Sequence, residues 1–187
     1  GAKQIVGDFK DELVILKLAE QSNIITYEIE SGNTDVLSKL KAEIEPSPFT
    51  LGVIQDKLSQ KIFLSENELP VSQFYEITSL DDLREKIREL GLPVLLKVRR
   101  DAYDGRGNFK ITSENEIEKA YQHFDGKSLM VEKFVNFKME VSVIAARNTK
   151  GDIATYPLAE NIHQNNILKM TIVPARVSDD VISNAGE

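Results

Sequence analysis

The sequence predicts a chain of mixed class, α/β and α+β, on three observations. Over residues 1–50 short β-branched runs alternate with helically spaced apolar residues, the rhythm of a parallel sheet with crossover helices. Pro46-Ser47-Pro48 then breaks that rhythm. From Pro93 onward the apolar runs are short and strand-like, which reads as mostly antiparallel pairing.

Residues 4–7 read as a short strand, with Asp8 placed to cap the helix that follows. In that helix Leu13, Leu16, Lys17 and Glu20 are spaced helically around Val14, Ile15 and Leu18. Residues 23–27 form a β-branched run of the kind a buried parallel strand uses. Asn33-Thr34 open another helix through Leu37 and Leu40. Beyond Pro48 one long amphipathic helix is expected over about residues 50–67, with Leu51, Ile54, Leu58, Ile62 and Phe63 on one side. Leu69-Pro70-Val71 ends it. Residues 80–90 form a charged helix stopped by Gly91 and Pro93. Strands are then expected at residues 94–98 and 108–111, a helix at 114–124, and strands at 128–133, 140–147, 153–157 and 167–173. Residues 156–164 read as a polar turn between strands, and the last residues as the opening of a helix.

The composition narrows the function classes. With 187 residues, 41% apolar and 28% charged, the chain has room for one domain or two small ones. It has no apolar run near the ~18 residues of a membrane helix and no secretory h-region, so a cytoplasmic location is the default. Cys is absent, which excludes disulfide scaffolds, cysteine nucleophiles and thiolate metal sites. Two His, His123 and His163, are too few for a His-built zinc site. A net charge of −7 argues against nucleic acid or an anionic membrane as partner, though a local basic pocket remains compatible with it. The abrupt start and end predict a piece of a longer polypeptide.

One such basic cluster is Lys97-Val98-Arg99-Arg100-Asp101-Ala102-Tyr103-Asp104-Gly105-Arg106-Gly107-Asn108. Its glycines permit close backbone approach, and arginines bind phosphate oxygens bidentately. A flap over phosphates and a solvated surface hairpin both fit. Lys97 interrupts an apolar strand, where a cation needs solvent or an anion. It either snorkels at the strand end or points into a cleft to hold α- and β-phosphates. Residues 129–135 form an apolar strand ending in Glu132-Lys133-Phe134-Val135, followed by Glu140. That pattern suits an adenine pocket as well as an edge strand leaving a core. His163 lacks a nucleophile partner and reads more naturally as a structural residue.

Taken together, these stretches resemble the N5-carboxyaminoimidazole ribonucleotide synthetase family of the ATP-grasp superfamily, the ATPase subunit of phosphoribosylaminoimidazole carboxylase. The resemblance runs through Gly7-Asp8-Phe9, Thr26-Tyr27-Glu28-Ile29-Glu30, Pro46-Ser47-Pro48 and Ile54-Gln55-Asp56-Lys57 with Gln60-Lys61. It continues through residues 97–107, Glu132-Lys133-Phe134-Val135, Glu140-Val141-Ser142, Tyr156-Pro157, Glu160-Asn161-Ile162-His163 and Pro174-Ala175. It implies a partial Rossmann-like pre-ATP-grasp sheet at residues 1–50 and a connecting helix and strand at 51–78. The small ATP-grasp subdomain would span 79–137, and the large one would begin at 138–187.

The resemblance also implies roles. Lys57 and Lys97 would contact ATP phosphates, and the loop Ala102-Tyr103-Asp104-Gly105-Arg106-Gly107-Asn108 would close over them. Glu132, Lys133, Phe134 and Val135 would line the adenine site, with Glu140 at the ribose and His163 near the nucleotide. Glu28 or Glu30, with Tyr103, Asp104 and Arg106, would face 5-aminoimidazole ribonucleotide. The implied reaction uses ATP, Mg²⁺ and bicarbonate and passes through carboxyphosphate, in a protein expected to be a homodimer.

Three departures accompany the resemblance. A glycine-rich strand-turn-helix before Gln4 has no counterpart, and the Mg²⁺-binding carboxylates and substrate-phosphate residues would lie beyond the chain's end. Ala102 stands where a glycine is usual. The first two departures predict a chain that is inactive as it stands. Rival readings are another ATP-grasp carboxylate–amine ligase, using formate or D-alanine, and a non-catalytic nucleotide-binding module.

Overall fold

The computed structural model describes residues 2–102, 107–164 and 167–186. These form two compact units, Gly1–Phe134 and Val135–Glu187.

The first unit begins with α1 (Glu12–Ala19), capped by the Asp11 carboxylate, which accepts from the Leu13 N–H at 2.8 Å. Asp8, expected as the cap, accepts instead from the Lys10 amide. Residues 4–7 do not form the expected strand. Val6 is 88% exposed, and without a neighbouring edge a β-branched run gains no ladder bonds. β1 (Ile24–Ile25) pairs in parallel with β2 (Glu43–Ile44), and α2 (Thr34–Leu37), capped by Asn33, crosses between them. Ile15, Ile25, Val36, Leu37, Ile44 and Leu51 pack together as this region's core. Two-residue strands are too short to leave a periodic signal, which is why β2 was not expected.

The single helix expected at residues 50–67 is two helices, α3 (Pro48–Ile54) and α4 (Lys57–Glu66). Ser47 caps the first, with Pro48 in its first turn. Asp56 takes extended backbone angles (φ −123°, ψ 114°) and caps the second through the amides of Leu58 and Ser59. Ile54, Leu58 and Ile62 keep a four-residue spacing across the break, so the pattern hides it.

Next come β3 (Phe74–Ile77), α5 (Leu80–Leu90), β4 (Val94–Val98), β5 (Asn108–Ile111), a 3₁₀ turn (Glu114–Glu116), α6 (Ile117–His123) and β6 (Leu129–Lys133). Ser79 caps α5, Asp81 and Asp82 occupy its first turn, and Gly91 ends it at φ 70°, a backbone region glycine tolerates. The strands form one antiparallel sheet in the order β3-β6-β4-β5. Its two faces differ because successive side chains alternate. Val94, Leu96, Val98, Leu129 and Val131 pack against Leu83, Ile87 and Ala120 of the helices. Leu95, Lys97, Met130 and Glu132 lie on the opposite face, with Asn108 and Lys110 beyond them on β5.

In the second unit β7 (Glu140–Ser142), β10 (Ala159–Gln164) and β11 (Ile167–Ile172) form an antiparallel sheet in the order β11-β10-β7. β8 (Ala145–Arg147) and β9 (Ile153–Thr155) pair as a hairpin, and α7 (Asp179–Gly186) closes the unit. The strand expected at 140–147 is thus β7 and β8, paired in different sheets. The turn expected at 156–164 is largely strand. β10 is polar in sequence, yet its backbone is laddered on both edges, and Asn161 links β7 and β11 through Ser142 and Thr171. Ala175 joins the packing of this unit by donating its amide to the Leu158 carbonyl.

Candidate functional site

The polar face of the four-stranded sheet carries a buried carboxylate between two lysines. β6 runs antiparallel to β4 with Glu132 opposite Leu95, so Lys97, two residues further on, stands diagonal to Glu132 on the same face. Lys97 Nζ meets Glu132 Oε1 at 2.5 Å. Lys61 Nζ, from α4, meets Oε2 at 2.7 Å. Ser72 receives a hydrogen bond from Lys61 at 2.9 Å and donates one to Oε2 at 3.2 Å. Glu132 is only 7% exposed. Burial opposes its charge, but the hydrogen bonds from Lys61 and Lys97 outweigh that and hold its carboxyl below the usual range.

A second carboxylate centre lies at the start of α4. Asp56, 1% exposed, receives the Arg99 guanidinium on both oxygens, Nε at 3.0 Å and Nη2 at 2.7 Å. Arg100 Nε adds a bond at 3.0 Å, and Arg99 also pairs with Glu76. Burial again works against the charge, and the Arg99 and Arg100 bonds with the Leu58 amide overcome it, so the carboxyl is held low. The Lys57 amide donates to the Arg99 carbonyl at 3.0 Å, which ties the first residue of α4 to the end of β4.

A cleft of about 240 Å³ opens beside this tie. Glu30, Asn33, Gln55, Lys57, Arg100 and Ala102 are among its walls. Gln55 reaches across to the Gly32 carbonyl at 2.6 Å, and Lys57 Nζ lies 3.4 Å from the Ala102 carbonyl. Burial pushes the Lys57 ammonium below its usual range, and the Lys97 charge pushes the same way, against Glu30, Asp56 and Asp101. A β-carbon on Gly107 would collide with that of Ala102, while the Gly107 carbonyl accepts from Val98 at 2.8 Å. Glycine is needed there for close approach.

The residues expected from sequence therefore fall into separate groups. Lys97 and Glu132 meet directly, and Glu30, Lys57 and Ala102 share the cleft. Glu28 is exposed and is not among the residues lining that cleft. Asn108 is exposed on β5, opposite Lys97. Lys133 Nζ is bound at 2.7 Å to the Gly91 carbonyl, at the end of α5. The Phe134 ring lies under Lys110, whose Nζ is 3.6 Å from its centroid. Val135, Glu140 and His163 belong to the second unit, where Val135 is exposed and His163 Nδ1 stands 2.7 Å from Glu140 Oε2. Tyr103, Asp104, Gly105 and Arg106 lie outside the described residues.

The contacts of these groups are not marked in the sequence, although Lys61 and Arg99 stand within its motifs. Lys61 follows Lys57 by one helical turn, a spacing that could have placed both on one face of α4. Nothing local marks Ser72, whose contact with Glu132 spans 60 residues. Glu160 in the second unit takes both Arg176 donors, at 2.8 and 2.6 Å, which hold its carboxyl low. Sixteen residues separate that pair, and no motif joins them. Among the described residues no group of three or more His, Asp and Glu is placed to hold a metal, and no helix is long and apolar enough to cross a membrane.

Lys97 on the polar sheet face, held by a carboxylate, and Lys57 at the start of α4 are near enough for their charges to act on one another, which concentrates positive charge there. The sequence pattern of the ATP-grasp domain matches residues 62–187. The chain belongs to the ATP-grasp family. This ATP-grasp chain is 38% identical over 186 residues to the N5-carboxyaminoimidazole ribonucleotide synthase of Bacillus subtilis, covering 98% of its own length and 49% of the relative's. Its fold is similar to a crystal structure of carboxyaminoimidazole ribonucleotide synthase from Aspergillus clavatus complexed with ATP, with TM-score 0.94 and 32% identity over 100% of this chain and 50% of that one. It is also similar to that species' N5-carboxyaminoimidazole synthase in complex with ADP and 5-aminoimidazole ribonucleotide, with TM-score 0.89 and 32% identity over 96% of this chain and 47% of the other. The chain spans 49% of the length of that Bacillus subtilis relative and 32% of the length of a phosphoribosylaminoimidazole carboxylase of Candida glabrata, to which it is 40% identical over 181 residues.

Proposed function

We propose that this ATP-grasp chain carries the nucleotide-facing and acceptor-facing residues of a ligase that carboxylates 5-aminoimidazole ribonucleotide. In that reaction a bicarbonate oxygen attacks the γ-phosphorus of ATP, ADP leaves, and carboxyphosphate forms. The exocyclic amine of the acceptor then attacks the carboxyl carbon, phosphate leaves, and the nitrogen gives up a proton. The product is N5-carboxyaminoimidazole ribonucleotide. The intermediate forms on bicarbonate rather than on the protein, so the absence of Cys is no obstacle. Phosphoryl transfer asks the protein mainly for positioning and charge neutralisation.

The observation that carries the reading is the Lys97–Glu132–Lys61 cluster on one sheet face of an ATP-grasp chain. The Aspergillus relatives hold ATP, ADP and 5-aminoimidazole ribonucleotide, which supports the same reading. Lys97 and Lys57 then neutralise the triphosphate under the loop at 102–108, and residues 132–135, Glu140 and His163 serve the nucleoside. Glu30 in the cleft, with Tyr103, Asp104 and Arg106, serves the acceptor; Glu28 plays the lesser part. The reading includes Mg²⁺ with ligands outside this chain, a homodimer and a cytoplasmic location. It also places the small ATP-grasp subdomain at 79–137, between a connecting segment at 51–78 and the large subdomain.

The test is product formation by the full-length protein supplied with ATP, Mg²⁺, labelled bicarbonate and 5-aminoimidazole ribonucleotide. Label is expected in an acid-labile carbamate, with ADP release requiring all of these components. Lys97→Met is expected to lower kcat/KM about 100-fold or more, as removal of a transition-state donor does elsewhere. ADP release that ignores the aminoimidazole, or that follows formate or an amino acid instead, overturns the reading.

A further inference from the structure

We propose that Lys61 is a positioning residue, a standing counter-ion that frees Lys97 to exchange its carboxylate partner for a phosphate. The inference rests on the reading above, in which Lys97 meets the triphosphate. It goes beyond it by assigning a role to a lysine that faces no ligand in that scheme.

Glu132 is buried, so it keeps its charge only while cations hold it. If Lys97 were its sole partner, drawing that ammonium toward a phosphate would strand a buried anion. The geometry avoids this by dividing the carboxylate. Oε1 faces Lys97, the side chain that has to move, and Oε2 faces Lys61 and the Ser72 hydroxyl. Lys61 is itself anchored, because the same ammonium donates to Ser72 at 2.9 Å. When Lys97 leaves Oε1, two of the three groups that hold Glu132 stay in place.

The charge count points the same way. Lys97 and Glu132 alone would be neutral and would attract no anion. Two ammonium groups against one carboxylate leave a net charge of +1 within this three-residue cluster. Lysine also suits exchange better than arginine, since a rotatable ammonium is not committed to a planar two-oxygen contact. The simpler alternative is that Lys61 only staples α4 to the sheet.

The two separate by calorimetric titration of the full-length protein with ATP and, in parallel, with adenosine. Lys61→Met is expected to weaken ATP about tenfold while changing adenosine less than about twofold, and Lys61→Arg is expected to restore ATP binding. Placed in a Glu132→Gln background, Lys61→Met is expected to change ATP affinity less than about threefold, because no carboxylate then needs a counter-ion. Equal losses of ATP and adenosine make Lys61 a staple and overturn the proposal. An undiminished ATP loss in the Glu132→Gln background makes it a diffuse field effect and overturns it as well. Wild-type protein that fails to bind ATP defeats the reading under which Lys97 meets phosphates. Wild-type binding with an unaffected Lys61→Met variant defeats this inference alone.

Discussion

Asp56 and Glu132 are both buried carboxylates, and each is opposed by two cationic side chains, yet the donors differ in kind. Around Asp56 they are guanidinium groups and helix amides. Arg99 takes both oxygens, Arg100 shares one of them, and two α4 amides complete the set. Planar, bidentate donors fix direction as well as distance, and the result ties the start of α4 to the end of β4. Around Glu132 the cations are ammonium groups, one on each oxygen. A point charge on a flexible stem holds an anion without fixing an angle, so one of the two can leave. One centre fixes its partners in direction as well as distance, and the other holds its anion by charge alone.

The largest effect is expected from breaking the fixed centre. Asp56→Ala strips Arg99 and Arg100 of their shared anion and uncaps α4, and is expected to cost about 3–5 kcal/mol by urea denaturation. A loss below about 1 kcal/mol would show that the arginines find other partners, ending the claim that the centre is a lock. Acid probes both centres together. Each carboxyl titrates lower folded than unfolded, so the unfolded chain binds more protons as pH falls. The stability these groups give is complete above the ordinary carboxylate range and drains away as pH falls through it toward their depressed values. Unfolding curves are expected to be flat near neutrality and to weaken below about pH 5, less steeply in an Asp56→Asn/Glu132→Gln protein. Matching slopes in the two proteins would count against both centres.

Exchanging the cations sharpens the contrast at smaller magnitude. Arg99→Lys keeps the charge and loses the second contact on Asp56, for an expected cost of about 1–2 kcal/mol. Lys61→Arg is expected to stay within about 0.5 kcal/mol, because the Glu132 centre asks only for charge. Equal costs in paired unfolding experiments would mean that the type of cation carries no information.

How much of this was legible in sequence depended on the range of each interaction. α5 was readable to the residue, since Ser79, Asp81, Asp82 and Gly91 act within a turn or two of the helix they bound. The oddity of Lys97 was readable because a lone cation disturbs an apolar run, although its partner was not. The α3–α4 break was hidden because Ile54, Leu58 and Ile62 hold one spacing across Asp56. Asp56, the cap of α4, is the one local mark at the break, and the two arginines that hold its carboxylate lie 43 and 44 residues away. β10 looks like a turn in sequence because its stability comes from ladders on both edges rather than from apolar alternation. Glu132 was marked as a candidate by the pattern of its strand and Lys57 by resemblance, whereas the contacts that Lys61, Ser72 and Arg99 make with them come from tertiary geometry.

The smallest effect is expected where distance is the same and burial is not. His163 Nδ1 and Glu140 Oε2 stand 2.7 Å apart, as close as Lys61 and Glu132, but their side chains are 34% and 45% exposed. Water already solvates both groups, so removing one partner strands no charge in a low dielectric. Glu140→Gln is expected to cost under about 1 kcal/mol in unfolding experiments and to cost less still in high salt, which screens exposed pairs. A cost near that of Asp56→Ala would mean that this pair is shielded by something beyond the two strands that carry it. It would also mean that separation, rather than burial, sets the energy of such pairs in this protein, and burial would lose its place in the account of both the Asp56 and the Glu132 centre.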